Sequence, residues 1–146
     1  ADTIIRRPDA QLMYSDEDKV SEHGYRFEPY FKCDFNRDLF YSHNMISHLG
    51  VYRREKLREI GGFRLGFEGA QDHDLALRYI EQIEPAQIHH IPRVLYHWRR
   101  HPGSTTRGLA EKPYSIQAGT KALQEHFTRL NIAAKVEGSA DGYRVR

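Results

Sequence analysis

The chain has 146 residues, enough for one domain with its own core, and its 22 lysines and arginines nearly balance 20 aspartates and glutamates. A formal net charge of +2 argues against a nucleic-acid-binding protein, and a single cysteine excludes an intrachain disulfide framework. No segment approaches the roughly 20 apolar residues of a membrane-spanning helix, and no signal peptide is recognisable. We therefore expect a soluble, cytoplasmic domain that occupies residues 1–146.

In the first half of the chain, the residue patterns predict a helix that ends at Pro8, strands at 11–14 and 44–52, and a helix at 53–60. Gly61-Gly62 closes the last of these as a glycine C-cap. Because the chain opens with Ala1 in a helix already under way, we expect it to be excised from a longer protein; removal of an initiator methionine is the alternative.

The second half predicts a helix at 71–82, an extended segment at 87–99, a loop at 102–106, a helix at 112–130, and a strand or hairpin at 136–145. Pro92 should bend the extended segment or confine it to a sheet edge. A turn at Asp141-Gly142 would close the hairpin. Alternating helices and strands without a repeat indicate a mixed α/β fold.

The predicted helix after Gly69 carries two aspartates that point in different directions. At about 100° per residue, Asp72 shares a face with four apolar residues: Ala76, Tyr79, Ile80 and Ile83. Asp74 lies about 200° away, on a face that we expect to be solvated, with an ion pair to Arg78 one turn on. A carboxylate in an apolar stripe needs a partner, so Asp72 is either the N-cap or a base at the floor of a cleft. Spacing alone leaves both interpretations open.

Four motifs, in this order along the chain, resemble family 2 glycosyltransferases, in particular the rhamnosyltransferase-like enzymes of bacterial surface polysaccharide synthesis. The motifs are YSDEDK at 14–19, GGFR at 61–64, EGAQDHDLALR at 68–78 and LYHWR at 95–99. The resemblance covers roughly residues 11–104 and rests on the combination, because no single motif is specific. It implies that the chain is the C-terminal, acceptor-side portion of such an enzyme.

The family has the two-part GT-A fold, in which a nucleotide-binding α/β half precedes an acceptor half. The resemblance therefore implies a partial GT-A fold, with a mixed sheet flanked by helices and the nucleotide-binding half missing. It also implies that Asp72 is the catalytic base, which takes the proton of an acceptor hydroxyl as that oxygen attacks and inverts the anomeric carbon. The preceding residue is Gln71 where the family usually has glutamate, a departure that bears on how Asp72 is tuned.

The same resemblance implies the substrates and their contacts. The donor is a nucleotide sugar and the acceptor a glycan or a lipid-linked glycan, which allows the full-length protein to associate peripherally with a membrane. The residues expected to bind substrate are Gly61, Gly62, Phe63, Glu68, Gln71, Trp98 and Arg99. Of these, the glycine loop would pass close to the donor sugar, and Arg99 would neutralise charge on the leaving phosphate.

A divalent ion, Mg²⁺ or Mn²⁺, is expected in the intact enzyme, because a nucleoside diphosphate leaves with charge that a Lewis acid stabilises. Asp16 and Asp18 copy the spacing of the family's Asp-x-Asp metal motif, but in this subgroup the acidic segment occurs in addition to that motif. Solvated or loop-ordering roles are therefore their alternative. His97 falls where related enzymes place a late metal or diphosphate ligand; alternatively, it is a half-buried histidine of an alternating strand without a ligand.

Two other functions fit parts of the pattern. One is a non-catalytic domain that binds a glycan or a protein partner, which would require the fold but no catalytic base. A small metal-dependent hydrolase built from Asp72, Asp74 and His97 is disfavoured, because the two aspartates diverge around the helix.

Overall fold

The computed structural model describes residues 2–100 and 113–146, which form a mixed α/β fold. The helices are α1 (Asp2–Arg6), α2 (Arg37–Ser42), α3 (Arg54–Glu59), α4 (Gln71–Ile80) and α5 (Pro113–Arg129), and a 3₁₀ turn covers Pro85–Gln87. The strands are β1 (Leu12–Val20), β2 (Arg26–Tyr30), β3 (Gly50–Tyr52), β4 (Ile88–Arg99), β5 (Val136–Ser139) and β6 (Gly142–Val145). The predicted α/β class, with a mixed sheet flanked by helices, is confirmed.

Strand β1 is the centre of a four-stranded sheet. β4 runs parallel to it along its whole length, whereas β3 and β2 pair antiparallel with its first and second halves. The β1–β4 register jumps between the pairs Ser15–Ile91 and Asp16–Val94, so β4 bulges at Pro92. Proline has no N–H for the ladder, which explains the bulge and confirms the predicted bend.

The core lies between this sheet and the helices, and its largest fully buried side chains include Leu12, Tyr14, Phe40, Leu77 and Tyr79. The hydroxyl of Tyr79 donates to the backbone oxygen of Gln11 at 2.9 Å and accepts from the backbone N–H of Arg53 at 3.1 Å. These bonds satisfy a buried hydroxyl and hold the start of α3 against β1.

Strands β5 and β6 form a separate antiparallel hairpin that packs on α5, which confirms the predicted hairpin. Gly119, in the middle of α5, leaves room for the ring of Tyr143. A Cβ on Gly119 would lie 1.9 Å from the Tyr143 hydroxyl oxygen, so no larger residue fits without displacing the ring of Tyr143.

Several local predictions were wrong. Residues 44–49 are irregular and the predicted strand begins only at Gly50, while β1 continues through the acidic segment to Val20. Helix α2 was not predicted, although Asn36 caps it by accepting from the backbone N–H of Leu39 at 2.9 Å. The loop predicted at 102–106 lies outside the described residues.

Candidate active site

A cleft of about 780 Å³ opens beside the second halves of β1 and β4. Its other walls are residues 43–50, the loop and first turn of α4, and the start of α5. Its aromatic lining consists of Tyr52, Phe63, Tyr96, Trp98, Tyr114 and Tyr143, and Glu17 and Asp72 contribute carboxylates. A cleft of this size, in which these aromatic rings stand among polar side chains, is typical of a small-molecule site.

Asp72 is the second residue of α4, and its half-buried side chain lines the cleft. Its Oδ1 accepts from the backbone N–H of His73 at 2.9 Å, and the positive end of the helix lies behind it. The N-cap position belongs to Ala70, so the N-cap interpretation of Asp72 is wrong.

Within the described residues, Asp72 has no ion-pair partner. This separates it from the buried carboxylates outside the cleft, each of which pairs with a histidine or an arginine: Asp16, Asp18, Asp74 and Glu81. A carboxylate that faces a cleft without a cation is available to a ligand.

Asp74 is fully buried, so the predicted solvated face is wrong. Its Oδ2 accepts from Nε of Arg78 at 3.0 Å, the predicted ion pair, and from Nε of Arg64 at 3.2 Å. Burial opposes ionisation of Asp74, but hydrogen bonds from the two guanidinium groups outweigh it and lower the pKa. The loop after α3 covers this side of α4, since Arg78 also donates to the carbonyl oxygens of Ile60 and Gly62, at 2.7 and 2.6 Å.

The glycine loop after α3 reaches the cleft through Phe63. Gly61 and Gly62 have φ values of +80° and +65°, which L side chains rarely adopt. They do not line the cleft themselves, but they turn the chain so that Phe63, 66% exposed, stands at its mouth.

The loop before α4 uses two predicted substrate-binding residues for its own hydrogen bonds. Glu68 Oε1 accepts from the backbone N–H of Gly66 at 3.0 Å, and Gln71 Oε1 accepts from that of Gly69 at 2.8 Å. Gly69 has φ +87°, and a Cβ there would lie 2.7 Å from the ring of Tyr114. Gln71 lines the cleft whereas Glu68 does not.

Strand β4 presents Tyr96 and Trp98 to the cleft, in agreement with the predicted alternation. His48 stacks on Tyr96, with 4.8 Å between ring centroids, and its centroid lies 4.9 Å from that of Trp98. Glu17 Oε2 accepts from both the backbone N–H and Nδ1 of His48, each at 2.9 Å. Sequence reasoning missed Glu17 and His48, because no local pattern relates positions 31 residues apart.

His97 and Arg99 point away from this cleft. Asp18 Oδ1 lies 2.5 Å from Nδ1 of His97, and Asp18 Oδ2 accepts from Nε of Arg26 at 2.5 Å. Strand alternation places His97 and Arg99 opposite Tyr96 on β4. Arg99 donates to the backbone oxygen of Ser21 at 3.5 Å.

Asp16 is likewise engaged by neighbouring groups. Its Oδ1 accepts from the backbone N–H of Lys32 at 3.0 Å and lies 2.7 Å from Nε2 of His90. Across residues 2–100 and 113–146, no three His, Cys, Asp or Glu side chains converge as metal ligands. Asp16, Asp18 and His97 therefore do not form a metal site on their own, and binding of Mg²⁺ or Mn²⁺ stays a prediction.

The hydrolase arrangement is not formed either. Asp72 lines the cleft, Asp74 is held by two arginines under the loop after α3, and His97 lies on the other face of the sheet. The three side chains have no common ligand position.

The groups next to Asp72 are uncharged at neutral pH. Burial raises the pKa of Tyr143, and the charge of Asp72 adds to this effect. The same two causes, burial first and Asp72 second, raise the pKa of Tyr52. Burial lowers the pKa of His73 to about 4, and its Nε2 lies 3.1 Å from the carbonyl oxygen of Phe40. Tyr52 and Tyr143 therefore line the cleft as neutral phenols.

Two longer bacterial proteins are similar to this chain. It is 54% identical over 126 residues to an uncharacterised protein, y4gI, of Sinorhizobium fredii, and 40% identical over 144 residues to the O-antigen biosynthesis protein RfbC of Myxococcus xanthus. The alignments cover 86% and 98% of this chain but only 14% and 11% of the two relatives. No family model matches the chain. Among the described residues, no helix has the length and apolar character needed to cross a membrane.

Proposed function

We propose that this chain supplies the acceptor side of an inverting glycosyltransferase of cell-surface polysaccharide synthesis, with Asp72 as the catalytic base. The observation that carries the proposal is the carboxylate of Asp72, which lines an aromatic cleft and has no ion-pair partner among the described residues. The name of the Myxococcus relative, an O-antigen biosynthesis protein 40% identical over 98% of this chain, supports the pathway.

In this proposal, Asp72 accepts the proton of an acceptor hydroxyl while that oxygen bonds to the anomeric carbon of the donor sugar. The bond from the anomeric carbon to the phosphate oxygen breaks, and its electron pair leaves with the nucleoside diphosphate. The N–H of His73 and the helix end hold the carboxylate in place. No step is assigned to a metal ion, because the described carboxylates do not form a metal site on their own.

The aromatic wall fits this chemistry. The ring of Trp98 offers a flat apolar surface on which the C–H face of a sugar packs, while polar groups bind its hydroxyls. A non-catalytic glycan-binding domain is the second candidate, favoured by the same wall, which needs no base. The two candidates differ in whether product forms.

The test uses the full-length translation product of the gene that encodes this sequence. It is incubated with UDP-, GDP- and dTDP-sugars and glycan acceptors, with Mg²⁺ or Mn²⁺, and nucleoside diphosphate release and glycan mass are measured. Asp72→Asn should lower kcat by about 10²- to 10⁴-fold, the usual contribution of a general base. The matched control is Asp38→Asn, since Asp38 is also the second residue of a helix but is exposed outside the cleft; its kcat should be unchanged.

Wild-type kcat in Asp72→Asn would overturn the assignment of the base. Failure of the wild-type protein to form product with any donor, together with saturable glycan binding, would establish the glycan-binding domain instead.

A further inference from the structure

The described residues give the cleft little positive charge. Those with a formal charge that line it are Glu17, Lys19 and Asp72, and Nζ of Lys19 lies 2.5 Å from Oε2 of Glu28. No arginine of the described residues lines it, and the positive end of α4 is already faced by Asp72. Without a bridging cation, a diphosphate here would meet two carboxylates, whereas proteins bind diphosphates directly through arginine, lysine or free helix N-termini. The charges therefore favour a neutral ligand.

Glu17 and His48 offer two unused polar atoms to such a ligand. Glu17 Oε2 lies 2.9 Å from Nδ1 of His48, a hydrogen bond that places a proton on Nδ1, and in that tautomer Nε2 is an acceptor. Within the described chain, neither Nε2 of His48 nor Oε1 of Glu17 has a hydrogen-bond partner. Both residues line the cleft, and the side chains of His48 and Glu17 are 34% and 12% exposed.

The two polar atoms stand beside an aromatic surface. The imidazole of His48 is nearly parallel to the ring of Tyr96, with 16° between planes, and it contacts Trp98. Glu17 pairs with Tyr96 across β1 and β4, which fixes the carboxylate beside the same rings. A flat apolar surface edged by hydrogen-bonding groups matches a sugar ring, which has C–H faces and a rim of hydroxyls.

Building on the proposed function, we infer that Glu17 and His48 form a hydroxyl-binding site that selects the acceptor, a neutral sugar ring stacked on Trp98. Glu17 and His48 then take no part in binding the donor's diphosphate. Glu17 and His48 would choose among sugars by their hydroxyl pattern, because a buried polar group left unpaired by a deoxygenated analogue weakens its binding.

The chain reports on this site directly, because Trp98 is its only tryptophan. Intrinsic fluorescence is titrated with methyl glycosides of neutral hexoses and 6-deoxyhexoses, and with inorganic pyrophosphate as the charged probe. Saturation-transfer NMR on the same samples identifies the bound protons. We expect a saturable change with at least one neutral glycoside, with transfer strongest to ring C–H protons, and no change with pyrophosphate.

Two variants separate hydrogen bonding from stacking. His48→Phe retains a ring against Tyr96 but has no Nε2, and Glu17→Gln removes the charge while keeping an acceptor for His48. Each variant should weaken glycoside binding about tenfold or more, because each removes one or two hydrogen bonds to the ligand in a desolvated site. His23→Phe is the matched control, since His23 is exposed in the β1–β2 turn, and it should bind as the wild type does. Circular dichroism confirms folding of all variants.

The inference and the proposed function fail in different ways. Glycoside binding without any transfer by the full-length protein would overturn the proposed catalytic function but support the sugar site. Transfer without glycoside binding, a saturable response to pyrophosphate alone, or unchanged binding in both folded variants would overturn the sugar site and leave the base at Asp72.

Discussion

Replacing Asp74 by asparagine tests whether the buried ion pairs of α4 stabilise the fold. Asp74 is fully buried, and Arg78, whose side chain is 8% exposed, pairs with it at 2.9 Å. Asp74→Asn keeps the shape but leaves the guanidinium of Arg78 in the interior without its counter-charge. Arg64 loses the same partner, but its side chain is 34% exposed and still reaches Glu125 at 2.9 Å, so solvent moderates its loss.

Removing one partner of a buried pair costs about 3–5 kcal/mol, which is large against the roughly 5–15 kcal/mol that stabilises a typical domain. Glu125→Gln is the matched control, because Glu125 pairs with the same Arg64 but is 37% exposed. An exposed pair of this kind contributes about 0–1 kcal/mol. Both variants remove one carboxylate charge, so the difference between their free energies of unfolding measures the effect of burial.

Urea unfolding at pH 7, followed by circular dichroism, measures both variants. With a slope of about 2 kcal/mol per molar urea, Asp74→Asn should lower the unfolding midpoint by roughly 2 M and Glu125→Gln by less than about 0.5 M. Equal shifts in the two variants, or a loss below about 1 kcal/mol for Asp74→Asn, would refute the reasoning that burial makes this pair costly to break.

Two further stability predictions follow from buried groups. Burial lowers the pKa of His73 to about 4 from its ordinary 6.5, so the unfolded chain binds more protons between these pH values. The stability that neutral His73 contributes is complete above pH 6.5 and should fall by on the order of 3 kcal/mol as the pH drops to 4. The free energy of urea unfolding, plotted against pH over this range, should therefore show a slope that a folded His73→Gln variant lacks. Gly119→Ala should lower the melting temperature, because overlap with Tyr143 costs about 1–3 kcal/mol and exceeds the gain of roughly 1 kcal/mol in helix propensity. Thr128→Ala, an exposed change in the same helix, is the control and should melt within a degree or two of the wild type. A melting temperature of Gly119→Ala equal to or above that of the wild type would contradict the close packing of α5 on the hairpin.

Features that depend on neighbouring residues could be predicted from the sequence. Helix α3 ends where Gly61-Gly62 permit positive φ, β4 bulges at Pro92, and the last strands turn at Asp141. Strand alternation also separated Trp98, which lines the cleft, from His97, which does not. These outcomes follow from backbone sterics and from the two-residue period of a strand, both of which act within a few positions.

The partners of the charged side chains were decided only by the tertiary structure. Helical spacing placed Asp74 in solvent, but the loop after α3 brings Arg64 against it and makes burial of the charge tolerable. Asp18 meets His97, and Glu17 meets His48, because β1 lies between β4 and the segment before β3, across 79 and 31 positions of sequence. A charge is stabilised by whichever group the fold places within a few ångströms, and sequence spacing carries no information about that distance. The order of helical and strand patterns along the chain thus determined an α/β fold, while strand pairing determined that Asp72 shares its cleft with Glu17 and His48 and not with Asp18 and His97.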